Sequence, residues 1–184
     1  MFNSVFVITD RRVLNKQLQN TILGFDHIDG QIETITDNDA SKKLARIIND
    51  LPKNYKHKAL LITRYKQLAQ SIINCQQKEG YWTRSLLDPQ QAPGYETSGT
   101  AFFTYGLLWG INNGYLKDKK YTHAALNGWK YLSTVALQPS GKIGYVQPIG
   151  DKAIAGQMLN ENSSSNFGVG AFLLAASEMV KFAK

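Results

Sequence analysis

The chain has 184 residues and a formal net charge of +7, and 43% of its residues are hydrophobic, 11% aromatic and 19% charged. This composition is typical of a globular domain and excludes a disordered or fibrous chain. No apolar run reaches the roughly 18 residues of a membrane-spanning helix, and the first residues lack the basic start and cleavage site of a secretory signal. We therefore expect a cytoplasmic protein with no membrane partner, or a periplasmic one if an upstream signal has been lost.

The single cysteine and the even spread of charge exclude further classes. Cys75 alone supports neither a disulfide framework nor a multi-cysteine zinc site, and its helical surroundings are typical of a small core residue. The 21 basic and 14 acidic residues show no basic run, so we expect no nucleic-acid partner. The positive excess suits an anionic saccharide, although it would equally serve solubility.

Residues 1–41 give the weakest pattern and form an unassigned segment. Residues 2–8 fit a strand, and residues 24–39 fit a loop or a weak hairpin. The Asp-His-Ile-Asp sequence at 26–29 is either a chance loop sequence or a displaced site.

The remaining chain has helical patterns that alternate in character. A short apolar stripe over 44–51 ends at Pro52. Residues 57–76 and 119–137 each carry one apolar stripe, which is typical of a helix with one exposed face. Two further segments, 99–113 and 166–182, are apolar around nearly the whole circumference, which indicates burial on all sides.

The unit of exposed helix, long loop and buried helix occurs twice. Gly-Tyr-Trp at 80–82 is echoed by Gly-Tyr-Val at 144–146, an offset of about 64 residues. Alternating outer and inner helices predict an all-α fold of the α/α toroid type, which closes with about six pairs. Two clear pairs and part of a third predict a partial barrel of about two to three helix pairs.

The loops between outer and inner helices are about 20 residues long, and ordered loops of that length are usually functional. All the inner helices should begin at the same end of the ring, where their free N–H groups favour anionic groups. Thr97, Ser98 and Ser165 are N-cap candidates there. Capping alone and capping with ligand contact both remain open for them.

Five segments carry a more specific pattern, beginning with QQKEGYWTRSLLDP and YETSGTAFFTYG. They are residues 76–89, 95–106, 110–116, 144–150 and 168–175. From about Leu44 to Lys184, this pattern resembles glycoside hydrolase families 88 and 105, the unsaturated glucuronyl and rhamnogalacturonyl hydrolases. Members of these families are (α/α)6 barrels, and residues 42–184 resemble their C-terminal half.

The resemblance implies an acidic oligosaccharide substrate with a 4,5-unsaturated uronic acid at its non-reducing end. In these families an Asp protonates the C4 side of the double bond, water adds at C5, and the hemiketal collapses to release the next sugar. The reaction needs no organic cofactor and no metal.

The sequence departs from the family pattern at the catalytic residue. The family's catalytic Asp and its Trp-Ala-Arg-Gly-like motif belong to the N-terminal half, and neither is found; residues 40–44 stand where the second is expected. The catalytic residue is therefore unknown, and we expect the chain to be incomplete and inactive alone. The alternative is a non-catalytic helical-repeat module that binds saccharides or partners.

The resemblance does supply substrate-side candidates. Tyr81 and Trp82 would stack on a sugar or wedge between helices, and Arg84 would pair with a carboxylate or be a surface charge. Glu96 is expected to hold the loop backbone. The remaining candidates are polar residues of the loops and inner helix starts: Thr97, Ser98, Gln147, Ser165 and Asn166.

An open partial ring would expose apolar flanks on its inner helices, and large apolar surfaces drive association. We therefore expect a homo-oligomer, or a missing N-terminal half that covers the flanks.

Overall fold

The computed structural model describes residues 58–149 and 156–184. The expectations for residues 1–41, for the cluster at 26–29, for the stripe at 44–51 and for the boundary at 41/42 lie outside the described residues. All of the described residues belong to one compact unit, Lys56–Lys184.

The described residues of this unit form four α-helices: α1 (Lys58–Asn74), α2 (Thr97–Asn112), α3 (Lys119–Tyr131) and α4 (Asn166–Phe182). Helix α3 continues as one π-helical turn, Leu132–Ala136. The described residues contain no strand, only an isolated antiparallel bridge between Leu137 and Ile143. The all-α prediction is confirmed, and each helix lies where its hydrophobic period placed it. Within these two ranges no helix is long and apolar enough to cross a bilayer.

The predicted inner helices, α2 and α4, pack against each other, and α3 packs against α2. Helix α2 joins both parts of the core. Leu107 and Leu108 belong to one cluster with Trp82, whereas Ala101 belongs to the other with Tyr131. Neighbouring inner helices backed by outer ones are the arrangement of a partial α/α toroid.

Glycines allow the closest approaches between these elements. A Cβ atom on Gly128 of α3 would lie 2.2 Å from Thr104 Oγ1 of α2. A Cβ on Gly168 of α4 would lie 2.5 Å from a methyl group of Val146. A larger residue at either position would push the two elements apart.

The composition of the inner helices predicts burial on all sides, but the structure leaves part of each helix exposed. Phe102 of α2 is 46% exposed, and Leu173 and Val180 of α4 are 61% and 58% exposed. Helix α1 also exposes part of its predicted apolar stripe, at Leu61 and Leu68. Each inner helix therefore has an apolar flank that the described residues leave open to solvent.

Candidate functional site

Three loops meet where α2 and α4 begin, and we call residues 75–96, 137–149 and 156–165, together with the adjoining Tyr131 and Asn166, the loop end. The N–H of Thr97 donates to the carbonyl of Tyr145 over 2.9 Å. The N–H of Tyr145 donates to Asn160 (2.9 Å) and that of Val146 to Ser163 (2.8 Å). The second loop is therefore bound to the start of α2 on one side and to the third loop on the other.

Glu96 caps α2 and ties the second loop to it. Its carboxylate accepts from Ser98 N (2.8 Å), Ser98 Oγ (2.6 Å), Gly99 N (2.7 Å) and Gln147 N (3.3 Å). The residue is 2% exposed, and the N-terminal dipole of α2 stabilises its negative charge. All four donors belong to the protein, so Glu96 holds the loop backbone, in line with the expectation from the sequence.

The hydroxyl groups of Thr97 and Ser98 are also used inside the protein. Thr97 Oγ1 donates to the carbonyl of Gly144 over 2.7 Å and lies 3.0 Å from the hydroxyl of Tyr131. Ser98 Oγ donates to Glu96. Of the two roles left open for these residues, these contacts support the structural one.

Trp82 and Tyr81 are adjacent in sequence but have different surroundings. Trp82 is fully buried, its Nε1 donates to Ile72 O over 2.7 Å, and its ring centroid lies 5.5 Å from that of Phe103. A buried indole offers no face to a sugar, so its surroundings support the wedge rather than the stacking role. Tyr81 is half-buried, and its ring lies 4.9 Å from that of Tyr95.

Arg84 joins the first and third loops. Its two terminal nitrogens donate to Gln157, to Oε1 over 2.9 Å and to the carbonyl oxygen over 2.7 Å. The guanidinium therefore places a positive charge between these two loops.

Gln147, Ser165 and Asn166 keep their polar side-chain atoms available. None of these side chains forms a hydrogen bond with another part of the described chain, although Ser165 stands at the N-cap of α4. Asn166 is exposed, and the other two are half-buried. The second loop, the third loop and the first residue of α4 thus each bring one unengaged polar side chain to the loop end.

Three tyrosines of the loop end were missed as candidates from the sequence: Tyr95, Tyr131 and Tyr145. Their rings lie 5.3 to 5.4 Å apart in two pairs that share Tyr95. The repeated Gly-Tyr pair was the available signal for Tyr145, whereas the position of Tyr95 depends on the path of the first loop. Burial and, after it, the Glu96 carboxylate raise the pKa of Tyr131 above its ordinary value, and the hydrogen bond between Tyr131 and Thr97 opposes this rise.

The far end of the helices holds a second buried carboxylate. Glu178 of α4 is 3% exposed, accepts from Asn112 Nδ2 over 2.8 Å and pairs with Lys181. These contacts join the C-terminal ends of α2 and α4. No group of three or more His, Cys, Asp or Glu residues in the described ranges is placed to hold a metal.

The model of Glycosyl Hydrolase Family 88 matches residues 40–183. The chain belongs to this family of glycoside hydrolases. The family and the extent of the match agree with the prediction from the sequence motifs.

Curated relatives agree with this assignment. The chain is 39% identical over 138 residues to an unsaturated 3S-rhamnoglycuronyl hydrolase of Formosa agariphila, a match that covers 75% of this chain and 36% of the relative. It is also 39% identical over 134 residues to a protein of the same name from Alteromonas sp., with 73% and 32% covered.

Solved structures show the same fold. A family 88 glycosyl hydrolase from Bacteroides vulgatus superposes with a TM-score of 0.71 and 59% identity over 75% of this chain and 40% of that one. A structure described as a polysaccharide lyase has a TM-score of 0.71 and 61% identity over 78% and 41%. The chain thus spans about two fifths or less of the length of these relatives.

Proposed function

We propose that the chain supplies the substrate-side part of an unsaturated uronyl hydrolase that acts on oligosaccharides released by polysaccharide lyases. The observation that carries this proposal is the 39% identity to two unsaturated 3S-rhamnoglycuronyl hydrolases. The substrate would be an oligosaccharide with a 4,5-unsaturated uronic acid at its non-reducing end. The loop end, with its unengaged polar groups, is the part of the described chain suited to hold it.

The proposed reaction needs an acid at C4 and a water at C5. Protonation of C4 and addition of water at C5 give a hemiketal, whose opening breaks the glycosidic bond and releases the next sugar. The two buried carboxylates of the described residues, Glu96 and Glu178, are already held by protein donors. This supports the view that the catalytic acid lies outside the part of the chain described.

The side chains proposed to contact substrate are those with free hydrogen-bonding capacity. Gln147, Ser165 and Asn166 would bind sugar hydroxyls or the uronate, with support from the positive dipole end of α4. Arg84 would contribute positive charge next to them, while its contacts with Gln157 hold the third loop in place. Thr97 and Ser98 would act through the backbone they support.

We further propose that the chain needs additional helix pairs for activity. Two helix pairs are described, and the relatives carry far more chain than the match covers. The exposed flanks at Phe102, Leu173 and Val180 would be covered by the missing pairs of a longer protein or by a second copy of this chain. A non-catalytic module that only binds saccharide is the alternative.

A second reaction class has one specific observation in its favour. The structure described as a polysaccharide lyase is 61% identical to the chain over a match that covers 78% of this chain. A lyase creates the 4,5-double bond by elimination, whereas the proposed hydrolase removes it. The two therefore change the ultraviolet absorbance of that bond in opposite directions.

Absorbance measurements test the proposal. A lyase-generated disaccharide is mixed with the chain, and with a hybrid enzyme in which residues 58–184 replace the stretch that they match in the Bacteroides vulgatus protein. We expect no change with the chain alone and a steady loss of absorbance with the hybrid. Turnover by the chain alone would overturn the placement of the acid. An inactive but folded hybrid would favour the binding module, and a gain of absorbance with intact polysaccharide would favour the lyase.

A further inference from the structure

The loop end contains a cluster of four tyrosine rings that the proposed hydration step does not use. The ring centroids of Tyr81 and Tyr95 lie 4.9 Å apart, and those of Tyr95 and Tyr145 lie 5.3 Å apart. Tyr131 forms the base of the cluster, 1% exposed and within 5.6 Å of Tyr81 and 5.4 Å of Tyr95. The other three rings are half-buried, so each keeps part of its surface in solvent.

The internal repeat builds the two arms of this cluster. Tyr81 and Tyr145 each follow a glycine at which the backbone approaches another element closely. A Cβ on Gly80 would lie 2.2 Å from the carbonyl oxygen of Asn127, and a Cβ on Gly144 would lie 2.6 Å from that of Glu161. Equivalent positions of the two repeats therefore direct a tyrosine to the same place, with Tyr95 between them.

Tyr145 occupies this place at an energetic cost. Its φ of 59° is in the left-handed region, which side-chain-bearing residues other than Asn and Asp seldom adopt. Hydrogen bonds fix it there, since its N–H donates to Asn160 O and its carbonyl accepts from Thr97 N, both over 2.9 Å. Glycine would adopt the same backbone conformation without strain. The backbone therefore does not require a tyrosine at this position, and we attribute its presence to the phenol ring.

The charge around the cluster disfavours an anion. Burial, and after it the Glu79 carboxylate, raises the pKa of Tyr81, and the Glu96 carboxylate raises that of Tyr131 after burial. The phenols of Tyr81 and Tyr131 therefore stay neutral at physiological pH. In the described part of the chain, the contact between a cation and an aromatic ring is that of Lys120 with Tyr121, which lies outside the cluster. A neutral ligand fits these surroundings better than a carboxylate.

We propose that Tyr81, Tyr95 and Tyr145 form a stacking platform for a neutral pyranose, the sugar to which the unsaturated uronyl group is joined. Aliphatic faces of a sugar pack on aromatic rings, and phenol hydroxyls exchange hydrogen bonds with sugar hydroxyls. The proposal rests on the proposed function for the identity of the sugar. The place of binding rests on the ring geometry alone.

The test is a titration of the full chain, with labelled tyrosine rings, by methyl rhamnoside and by the methyl glycoside of glucuronic acid. We expect NMR signals of the cluster to shift with the neutral sugar, and the charged glycoside to bind at least about threefold more weakly. Tyr145→Gly removes the ring and relieves the backbone, so we expect at least about threefold weaker binding with no fall in melting temperature. Tyr145→Phe should keep most of the affinity.

Tyr115→Leu is the matched control, because Tyr115 packs on Trp109 at the far end of α2. It should leave the affinity unchanged. The platform is wrong if the cluster signals stay still, if the charged glycoside binds as tightly, or if Tyr145→Gly binds like the wild type. If the cluster binds the sugar but the hybrid shows no turnover, the platform is supported and the proposed function is contradicted. If the hybrid shows turnover but the tyrosine ring signals do not shift, the proposed function is supported and the platform is contradicted.

Discussion

The two repeats share a backbone plan but are anchored in different ways. In the first, Trp82 is fully buried beside Phe103. In the second, the equivalent residue is Val146, which packs against Gly168 of α4 and is 3% exposed. The preceding glycine and tyrosine are kept in both, at 80–81 and 144–145.

The loops compensate for this difference. A large core side chain anchors the first loop, whereas the second is anchored by backbone hydrogen bonds to α2 and to the third loop. The repeated Gly-Tyr pair therefore places a tyrosine twice at the loop end, while the residue after each tyrosine, Trp82 or Val146, is buried in the core.

The largest effect is expected on association, which the open flanks of both repeats would drive. We expect light scattering to report at least twice the monomer mass of 20.6 kDa. Leu173→Lys, on the flank of the second repeat, should reduce the mass. Leu87→Lys is the control, because Leu87 lies on a loop and is 93% exposed. A monodisperse monomer in the wild type would contradict the prediction.

Trp82→Ala should cost about 3–5 kcal/mol of unfolding free energy, because it removes a fully buried indole from the core. Val146→Ala, the equivalent change in the second repeat, should cost about 2 kcal/mol. Urea denaturation measures both. Equal costs would show that the two loops are anchored alike.

Glu96→Ala should cost about 2–3 kcal/mol, because the two donors of buried Ser98 and the part-buried N–H groups of Gly99 and Gln147 lose their acceptor. The control is Asp118→Ala at the start of α3, where an exposed carboxylate accepts one backbone hydrogen bond, from Lys120 N. This change should cost about 1 kcal/mol or less of unfolding free energy. Denaturant midpoints measure the difference. Equal losses of unfolding free energy in the two variants would show that Glu96 does not join α2 to the second loop.

The smallest effect is a loss of stability at alkaline pH. Burial is the main cause that raises the pKa of Tyr65 and Tyr131, one on the outer helix of each repeat, above the ordinary value of about 10. A raised pKa means that the fold prefers the neutral phenol, so its stability contribution is complete below about pH 10 and falls as the pH rises toward the folded value. Denaturation at about pH 8 and about pH 11 measures the fall, which Tyr131→Phe should reduce.

The helices were predictable from the sequence because their hydrophobic periods and glycine-rich loops are local signals. The depth of Trp82 was not, since a Gly-Tyr-Trp sequence does not say which ring faces the core. The roles of Thr97 and Ser98 depend on the carbonyl of Gly144 and on Glu96, and Tyr95 reaches the cluster only through the path of its loop. No local pattern predicts a tyrosine in the left-handed region, as at Tyr145.

We propose that the loop end, and not the far end, holds the saccharide. The most direct test is the kcat/KM of the hybrid enzyme on the lyase-generated disaccharide, with Asn166→Ala compared with Asn113→Ala. Asn166 is the first residue of α4 at the loop end, whereas Asn113 follows α2 at the far end, where its side chain donates to Trp109 O. We expect kcat/KM to fall at least about tenfold with Asn166→Ala, as for a lost contact to a charged or sugar group, and to stay unchanged with Asn113→Ala. Equal values, or a greater loss at Asn113, would contradict it.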